Sequence, residues 1–68
     1  MIRCHLSKLM GIKKMKVADV SRETGLNRST VTSLYKETAS RVDIDAIDKL
    51  CELFDCEVCD LFERVKTD

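Results

Sequence analysis

Apolar residues recur along this chain at the three- and four-residue spacing of amphipathic helices. The positions between them are polar or charged, and the chain has no proline and only two glycines, so little interrupts the helical pattern. The pattern predicts five short helices, which cover residues 2–12, 17–24, 28–36, 44–54 and 58–65. We therefore expect an all-α fold, a compact bundle of about five short helices that forms a single domain over residues 1–68.

Residues 17–36 carry the most specific local signals. Gly25 follows the second predicted helix, at a place where a residue that tolerates positive φ ends a helix well. Asn27 can accept a hydrogen bond from the free N–H groups of the next helix, and Leu26 and Val31 have the spacing of a hydrophobic staple around this cap. This segment is thus predicted to form two helices joined by a turn over residues 25–27.

The third predicted helix has two contrasting faces. Val31, Leu34 and Tyr35 are expected to face the interior. The opposite face has no acidic residue and carries Arg28, Ser29, Thr32, Ser33 and Lys36. In a helix-turn-helix, the first helix supports the second, and the second presents short polar side chains to base edges in the DNA major groove. The second and third predicted helices meet this description.

The same residues make the chain resemble the Cro/cI-type (Xre-like) helix-turn-helix family. The resemblance continues over residues 44–61 and therefore covers most of the chain. It implies a lambda-repressor-like DNA-binding domain with its helix-turn-helix at residues 17–36. The matching positions in the motif are Gly25, Leu26, Asn27, Arg28, Ser29, Thr30, Val31 and Leu34.

The start of the second predicted helix is a candidate phosphate site. The family usually has Gln where this chain has Val17, so we expect the contact to come from free backbone N–H groups at the positive end of the helix dipole. Lys13, Lys14 and Lys16 cluster just before this helix and form either further phosphate contacts or a solvated loop. The family also usually has Ala where this chain has Ser21, which is still small enough for two helices to approach closely.

The resemblance implies a sequence-specific regulator of transcription, of the repressor type, that binds double-stranded DNA. Arg28 is the strongest candidate for a base contact, because a guanidinium can bond to guanine O6 and N7 together. One recognition helix reads few bases, so we expect a homodimer on half-sites about 34 Å apart, with Phe62, Val65 and the C-terminal tail as candidate contacts. The predicted DNA-binding residues are Lys16, Val17, Asn27, Arg28, Ser29, Thr30, Thr32, Ser33 and Lys36.

Charge is divided unequally between the two halves of the chain, although its total is zero. Residues 1–36 contain eight basic and two acidic residues, a net charge of +6, whereas residues 37–68 contain four basic and ten acidic residues, a net charge of −6. This division predicts one half that faces a polyanion and one that faces solvent. The acidic half would also disfavour docking on DNA in the wrong orientation.

Composition and motif content argue against several other classes of protein. Three aromatic residues are too few to suggest a platform for single-stranded nucleic acid. No apolar run approaches the roughly 18 residues of a membrane span, and residues 1–5 lack a signal-peptide core, so we expect a cytoplasmic protein. We find no Ser/His or Cys/His pairing with a supporting acid and no phosphate-binding loop, so we expect no enzyme activity. No cofactor, metal or small-molecule effector is predicted.

The cysteines leave one question open. Cys56 and Cys59 have the CxxC spacing of zinc sites and thiol redox centres, but a zinc site would need further ligands, such as Cys51 with Cys4 or His5. A single CxxC is a weak signal, so we expect the cysteines to pack as small apolar residues. Two alternatives to DNA binding remain: a protein-interaction module such as an antitoxin-like partner, and a cysteine-based metal or redox sensor.

The remaining predictions concern helix ends and buried faces. Gly11 is expected near the end of the first helix, and Asp43 is expected to cap the fourth, with Val42 and Ile47 as a second staple. The predicted buried face of the fourth helix comprises Ile44, Ile47, Leu50, Cys51 and Phe54. The predicted buried face of the last helix comprises Val58, Leu61, Phe62 and Val65.

Overall fold

The computed structural model describes residues 1–66 of the chain. Its five helices confirm the predicted all-α bundle, and two short strands are a minor addition. In chain order the elements are β1 (Ile2–Cys4), α1 (Leu6–Lys13), α2 (Val17–Thr24), α3 (Arg28–Tyr35), α4 (Ile44–Phe54), α5 (Val58–Leu61) and β2 (Phe62–Arg64). Among the residues described, no helix has both the length and the apolar character needed to cross a membrane.

The two ends of the chain pair as a short antiparallel sheet, which corrects two helix predictions. β1 stands where the helix over residues 2–12 was predicted to begin, and β2 stands where the helix over residues 58–65 was predicted to end. The sheet is extended by hydrogen bonds of 2.7 Å from the Val65 N–H to the Met1 carbonyl and from the His5 N–H to the Leu61 carbonyl. Three-residue segments do not distinguish a helical from a strand pattern, so pairing between distant residues decided the outcome. The paired residues are Ile2 with Arg64, Arg3 with Glu63 and Cys4 with Phe62.

Glu37 connects β1 to the end of α3. Its carboxylate accepts two hydrogen bonds from the Arg3 guanidinium, at 2.8 and 3.0 Å, and one from the Cys4 backbone N–H at 3.0 Å. These bonds hold the pKa of Glu37 below its ordinary value, with the Arg3 hydrogen bond as the largest cause and the Cys4 N–H next. The outer edge of β1 is therefore satisfied at Cys4 by a side chain instead of a third strand.

One apolar core joins all five helices to β1. The predicted residues Val31, Leu34, Leu50, Phe54 and Leu61 are buried, and the core is completed by Cys4, Leu6, Met10 and Val20. For the face of α4 the prediction was wrong at Ile44, which is 84% exposed, and it missed Ala46, which is buried; Ile47 and Cys51 are half-buried at the edge of the core. The buried face of α4 is centred on Ala46, Leu50 and Phe54, which recur every four residues, and the predicted face is rotated to one side of it.

Three other side chains predicted to be buried are exposed. Tyr35 in α3 is 44% exposed, Val58 in α5 is 54% exposed, and Val65 after β2 is 37% exposed. Val58 and Val65 were placed on one face of a single helix, and that face does not exist because α5 stops at Leu61 and β2 follows. Phe62 remains half-buried against the core from its position in β2.

Helix ends confirm some of the predicted caps and correct others. Gly25 has φ of 75° after α2, and the Asn27 side chain accepts a hydrogen bond of 2.7 Å from the Ser29 N–H, as predicted. Asp43 occupies the N-cap position of α4, but its side chain makes no capping hydrogen bond there. Gly11 does not end α1; the helix continues to Lys13, and Lys14 ends it with φ of 55°.

Candidate nucleic-acid interface

A compact turn fixes α3 relative to α2. Gly25 adopts the left-handed conformation that glycine tolerates best, and its N–H donates to the Ser21 carbonyl at 2.9 Å. The Ser21 hydroxyl donates to the Leu26 carbonyl at 2.6 Å, and the Leu26 N–H donates to the Thr24 hydroxyl at 3.2 Å. Ser21 thus bonds across the turn, which its small size alone did not predict. The signal that could have predicted this bond is the presence of a polar residue, Ser21, on the inner face of α2.

α3 turns its apolar side to the core and its polar side outward. Val31 and Leu34 are buried, which anchors the helix against α2 and the rest of the bundle. Arg28, Ser29 and Lys36 are exposed. Within residues 1–66, Arg28 makes no salt bridge, so its guanidinium is available to an external acceptor. The outward side of α3 therefore offers hydrogen-bond donors and positive charge without a competing carboxylate.

The hydroxyl residues of α3 are less uniform than the sequence suggested. Thr32 and Ser33 are half-buried, and so is Thr30. The Ser33 hydroxyl donates to the Ser29 carbonyl at 2.7 Å, one turn earlier in its own helix. Its proton is therefore already used, and Ser33 retains only acceptor capacity towards an outside group. Such bonds within a helix cannot be read from residue type and spacing.

Asn27 has a divided role at the start of α3. Its side-chain oxygen is occupied by the Ser29 N–H, which satisfies one of the free donors at the helix terminus. An amide side chain also carries two N–H donors, and within residues 1–66 these donors make no hydrogen bond. Asn27 is exposed, so the same side chain can cap the helix and donate to an anion outside it.

The start of α2 has one backbone N–H that is bonded within the described part of the chain and two that are not. The Lys16 N–H donates to the Asp19 carboxylate at 2.9 Å, and this bond is the largest cause that lowers the pKa of Asp19, with nearby Arg22 as a further one. The N–H groups of the next two residues, Val17 and Ala18, find no acceptor within residues 1–66. The Val17 side chain packs against the core, so only its backbone can serve a ligand.

The three lysines before α2 do not act together. Lys14 and Lys16 are exposed, whereas the Lys13 ammonium donates to the Leu53 carbonyl at 3.1 Å, in the last turn of α4. A cation at the C-terminal end of a helix is favoured by the helix dipole, so Lys13 has a structural partner. The phosphate contact suggested for the whole cluster therefore rests on Lys14 and Lys16.

Residues 5–67 match the family model of the Cro/C1-type helix-turn-helix DNA-binding domain. The chain belongs to this family. Its match covers α1 to β2 and includes the turn, the capped α3 and the exposed start of α2 described above. No curated protein sequence matches the chain. The family assignment makes this Cro/C1-type protein a DNA-binding regulator of transcription whose partner is double-stranded DNA.

Enzyme activity and a structural zinc site have little support in this Cro/C1-type protein. The family is typically non-enzymatic. Within residues 1–66, no three His, Cys, Asp or Glu side chains converge where they could hold a metal ion, so the four-ligand zinc site considered from the sequence does not form there. Cys4 is buried, and Cys51 and Cys56 are half-buried against the core, as the packing interpretation predicted, whereas Cys59 is exposed.

Proposed function

We propose that this Cro/C1-type protein is a repressor that recognises a specific DNA sequence with α3 in the major groove. Bound protein would then block polymerase by occupying its site. The observation that carries the proposal is the outward side of α3, where Arg28, which makes no salt bridge within residues 1–66, stands beside hydroxyl and basic groups and no carboxylate. Such a side is suited to acceptors on base edges and to phosphates.

In this proposal Arg28 donates to guanine, and Ser29 and Thr32 contact neighbouring base edges, where the Thr32 methyl group can also meet a thymine methyl. Residues around this centre bind the phosphates that set the register of α3. They comprise the backbone N–H of Val17, the Asn27 amide, and the side chains of Lys16, Thr30, Ser33 and Lys36. For Ser33 the phosphate contact would need a bridging water, because its own proton is already donated and a phosphate offers only acceptors.

We further propose that the protein binds DNA as a homodimer. A single α3 contacts few base pairs, and a two-fold dimer would double the length of sequence read on half-sites about 34 Å apart. The exposed residues Ile2 and Val58 support this proposal, since they line one shallow groove with half-buried Val42, Ile47 and Phe62. We call these five residues the apolar face. Val65 lies outside this groove, and residues 67–68 of the candidate tail lie outside the described residues.

Selection from a random duplex library, followed by titration of the selected pool against salt, tests the proposed function. We expect a palindromic motif and an affinity that falls steeply as salt rises, because phosphate contacts release counterions. The spacing of the two half-sites would give the geometry of the dimer. Weak binding without a motif would contradict the proposal and favour a protein-interaction module instead.

A further inference from the structure

Cys51 and Cys56 are brought together by the way in which α4 ends. The Cys56 N–H donates to the Cys51 carbonyl at 3.0 Å, and the Asp55 N–H donates to the Glu52 carbonyl at 3.3 Å. With Asp55 in the left-handed conformation, at φ of 49°, these bonds form a Schellman motif. In this motif the two residues joined by the longer bond commonly make a side-chain contact. Here both of them are free thiols that line the same open groove.

The groove beside the two thiols is acidic. Asp48, Glu52 and Glu57 line it, and none of the described residues that line it is basic. The pKa of Cys56 is raised to about 11, with burial as the largest cause and the adjacent Cys51 as the next, so the Cys56 thiol is protonated at neutral pH. A protonated thiol among carboxylates is a poor target for oxidants, which attack thiolates, whereas the same negative field attracts a cation.

We propose that Cys51 and Cys56 form a two-sulfur binding site for a soft monovalent cation of the Cu⁺ or Ag⁺ type. Thiolate sulfur is the ligand that such cations prefer, and they accept two ligands where Zn²⁺ in a structural site takes four. Binding is a ligand exchange without electron transfer. Each thiol releases one proton to solvent and each sulfur forms one bond to the cation, which leaves a bis-thiolate complex with one negative charge.

The proposed pair differs from the pair that the sequence suggests. CxxC spacing associates Cys56 with Cys59, but Cys59 is exposed on α5 and does not line the groove that Cys51 and Cys56 share. The fourth cysteine, Cys4, is buried in the core at the end of β1. Cys59 therefore provides a matched control: it lies in the same region of the chain and retains a free thiol, but the proposal gives it no part in binding.

Titration of the reduced 68-residue chain with Ag⁺, in chloride-free buffer and with native mass spectrometry as the readout, tests the site without a redox reaction. We expect one Ag⁺ per chain. Alkylation of the cysteines with and without Ag⁺, followed by peptide mapping, then identifies the ligands in the unmodified chain. We expect Ag⁺ to protect Cys51 and Cys56 from alkylation and to leave Cys59 reactive.

Single Cys→Ser variants distinguish binding of Ag⁺ at this site from non-specific binding to any thiol. Cys51→Ser and Cys56→Ser should each lose the one-to-one complex, whereas Cys59→Ser should retain it with unchanged affinity. Circular dichroism reports whether each variant is folded. If one of them is not, the alkylation mapping of the unmodified chain still identifies which cysteines bind Ag⁺. Protection of Cys59 together with Cys56, or the absence of saturable one-to-one binding, would overturn the proposal. The titration contains no DNA, so its failure would leave the proposed repressor function standing.

Discussion

Arg28 occupies the first position of α3, where it is exposed and free of salt bridges within residues 1–66. If it donates to a guanine, Arg28→Ala should weaken binding to the selected duplex by about 1–3 kcal/mol and relax the preference at one base position. Titration of the variant against duplexes altered at each position measures both effects. Arg64→Ala in β2 is the control, because it removes the same charge from the acidic half of the chain. Equal losses in the two variants would show that Arg28 contributes only charge.

Asn27 permits a test that separates folding from DNA contact. Asn27→Ala removes the hydrogen bond to the Ser29 N–H and should lower the free energy of unfolding by about 1 kcal/mol. Asn27→Asp keeps a capping oxygen but replaces the amide donors with negative charge. We expect it to retain stability and to bind DNA more weakly than the parent chain, since the carboxylate would face phosphates.

Urea unfolding and duplex titration of both Asn27 variants provide the measurements. If Asn27→Asp bound DNA as tightly as the parent chain, the proposed phosphate contact at Asn27 would be wrong, although its role as a cap would stand. An unchanged free energy of unfolding in Asn27→Ala would instead contradict the capping role.

At the level of elements, Glu37 joins the end of α3 to β1, and its contribution to the free energy of unfolding should depend on pH. The pKa of Glu37 is lowered in the folded chain by the Arg3 guanidinium and the Cys4 N–H, so the unfolded chain binds more protons in the acid range. The ionised Glu37 therefore contributes stability above its ordinary pKa, and this contribution is lost as pH falls through the folded-state pKa. We expect Glu37→Gln to be less stable than the parent chain at pH 7, and the difference to shrink between about pH 5 and pH 2.

Urea unfolding at several pH values measures that difference directly. Glu23→Gln is the matched control, since Glu23 is an exposed carboxylate that makes no salt bridge within residues 1–66. The control should follow the parent chain over the whole range. A Glu37→Gln difference that stayed constant with pH would show that the lost interaction does not depend on the ionised carboxylate.

The elements that the sequence predicted well are those with strong local signals. α2 and α3 follow from apolar spacing, from Gly25 and from the Asn27 cap, and each of these acts within a few residues. The strands β1 and β2 could not be predicted in this way, because each is three residues long and is stabilised by a partner at the other end of the chain. Glu37 likewise lies outside the predicted helices, and its partners in β1 are distant in sequence.

Helix ends show the same division. Gly25 signals its left-handed conformation by residue type, whereas Lys14, Glu37 and Asp55 adopt positive φ without being glycine. All three follow the last turn of a helix and close it with local Schellman-type hydrogen bonds, which their residue types do not signal as glycine does. The consequence reaches the candidate sites: the left-handed residue at 55 brings Cys51 to Cys56, while spacing alone suggested Cys56 with Cys59.

For the DNA interface, sequence reasoning identified which residues lie on the outward side of α3 but not what each hydroxyl already bonds. Asn27 caps α3 and Arg28 is its first residue, as the sequence predicted. The cap fixes where the helix begins, and the helical pattern then fixes which side chains face outward. Ser33 donates within α3, and Lys13 donates to α4. Both outcomes depend on rotamers and on neighbouring elements, which one sequence does not specify.

For the whole molecule, the decisive question is whether two copies associate through the apolar face. Ile2 on this face is 62% exposed, and Ile12 on α1, away from it, is 68% exposed. Ile2→Glu and Ile12→Glu therefore add the same charge at similarly exposed isoleucines. In β1 a glutamate would stand opposite Arg64, a favourable cross-strand pair, so Ile2→Glu should fold as a monomer.

We expect Ile2→Glu to shift the protein to monomers in sedimentation equilibrium and to reduce its affinity for a two-half-site duplex to that for a single half-site. The physical reason is that a charged carboxylate in an apolar contact must lose its hydration, and a two-fold interface would contain it twice. Ile12→Glu should remain dimeric and bind both duplexes as the parent chain does. If both variants remained dimeric, the two-fold contact would have to lie elsewhere, while equal loss in both would indicate that added negative charge alone weakens DNA binding.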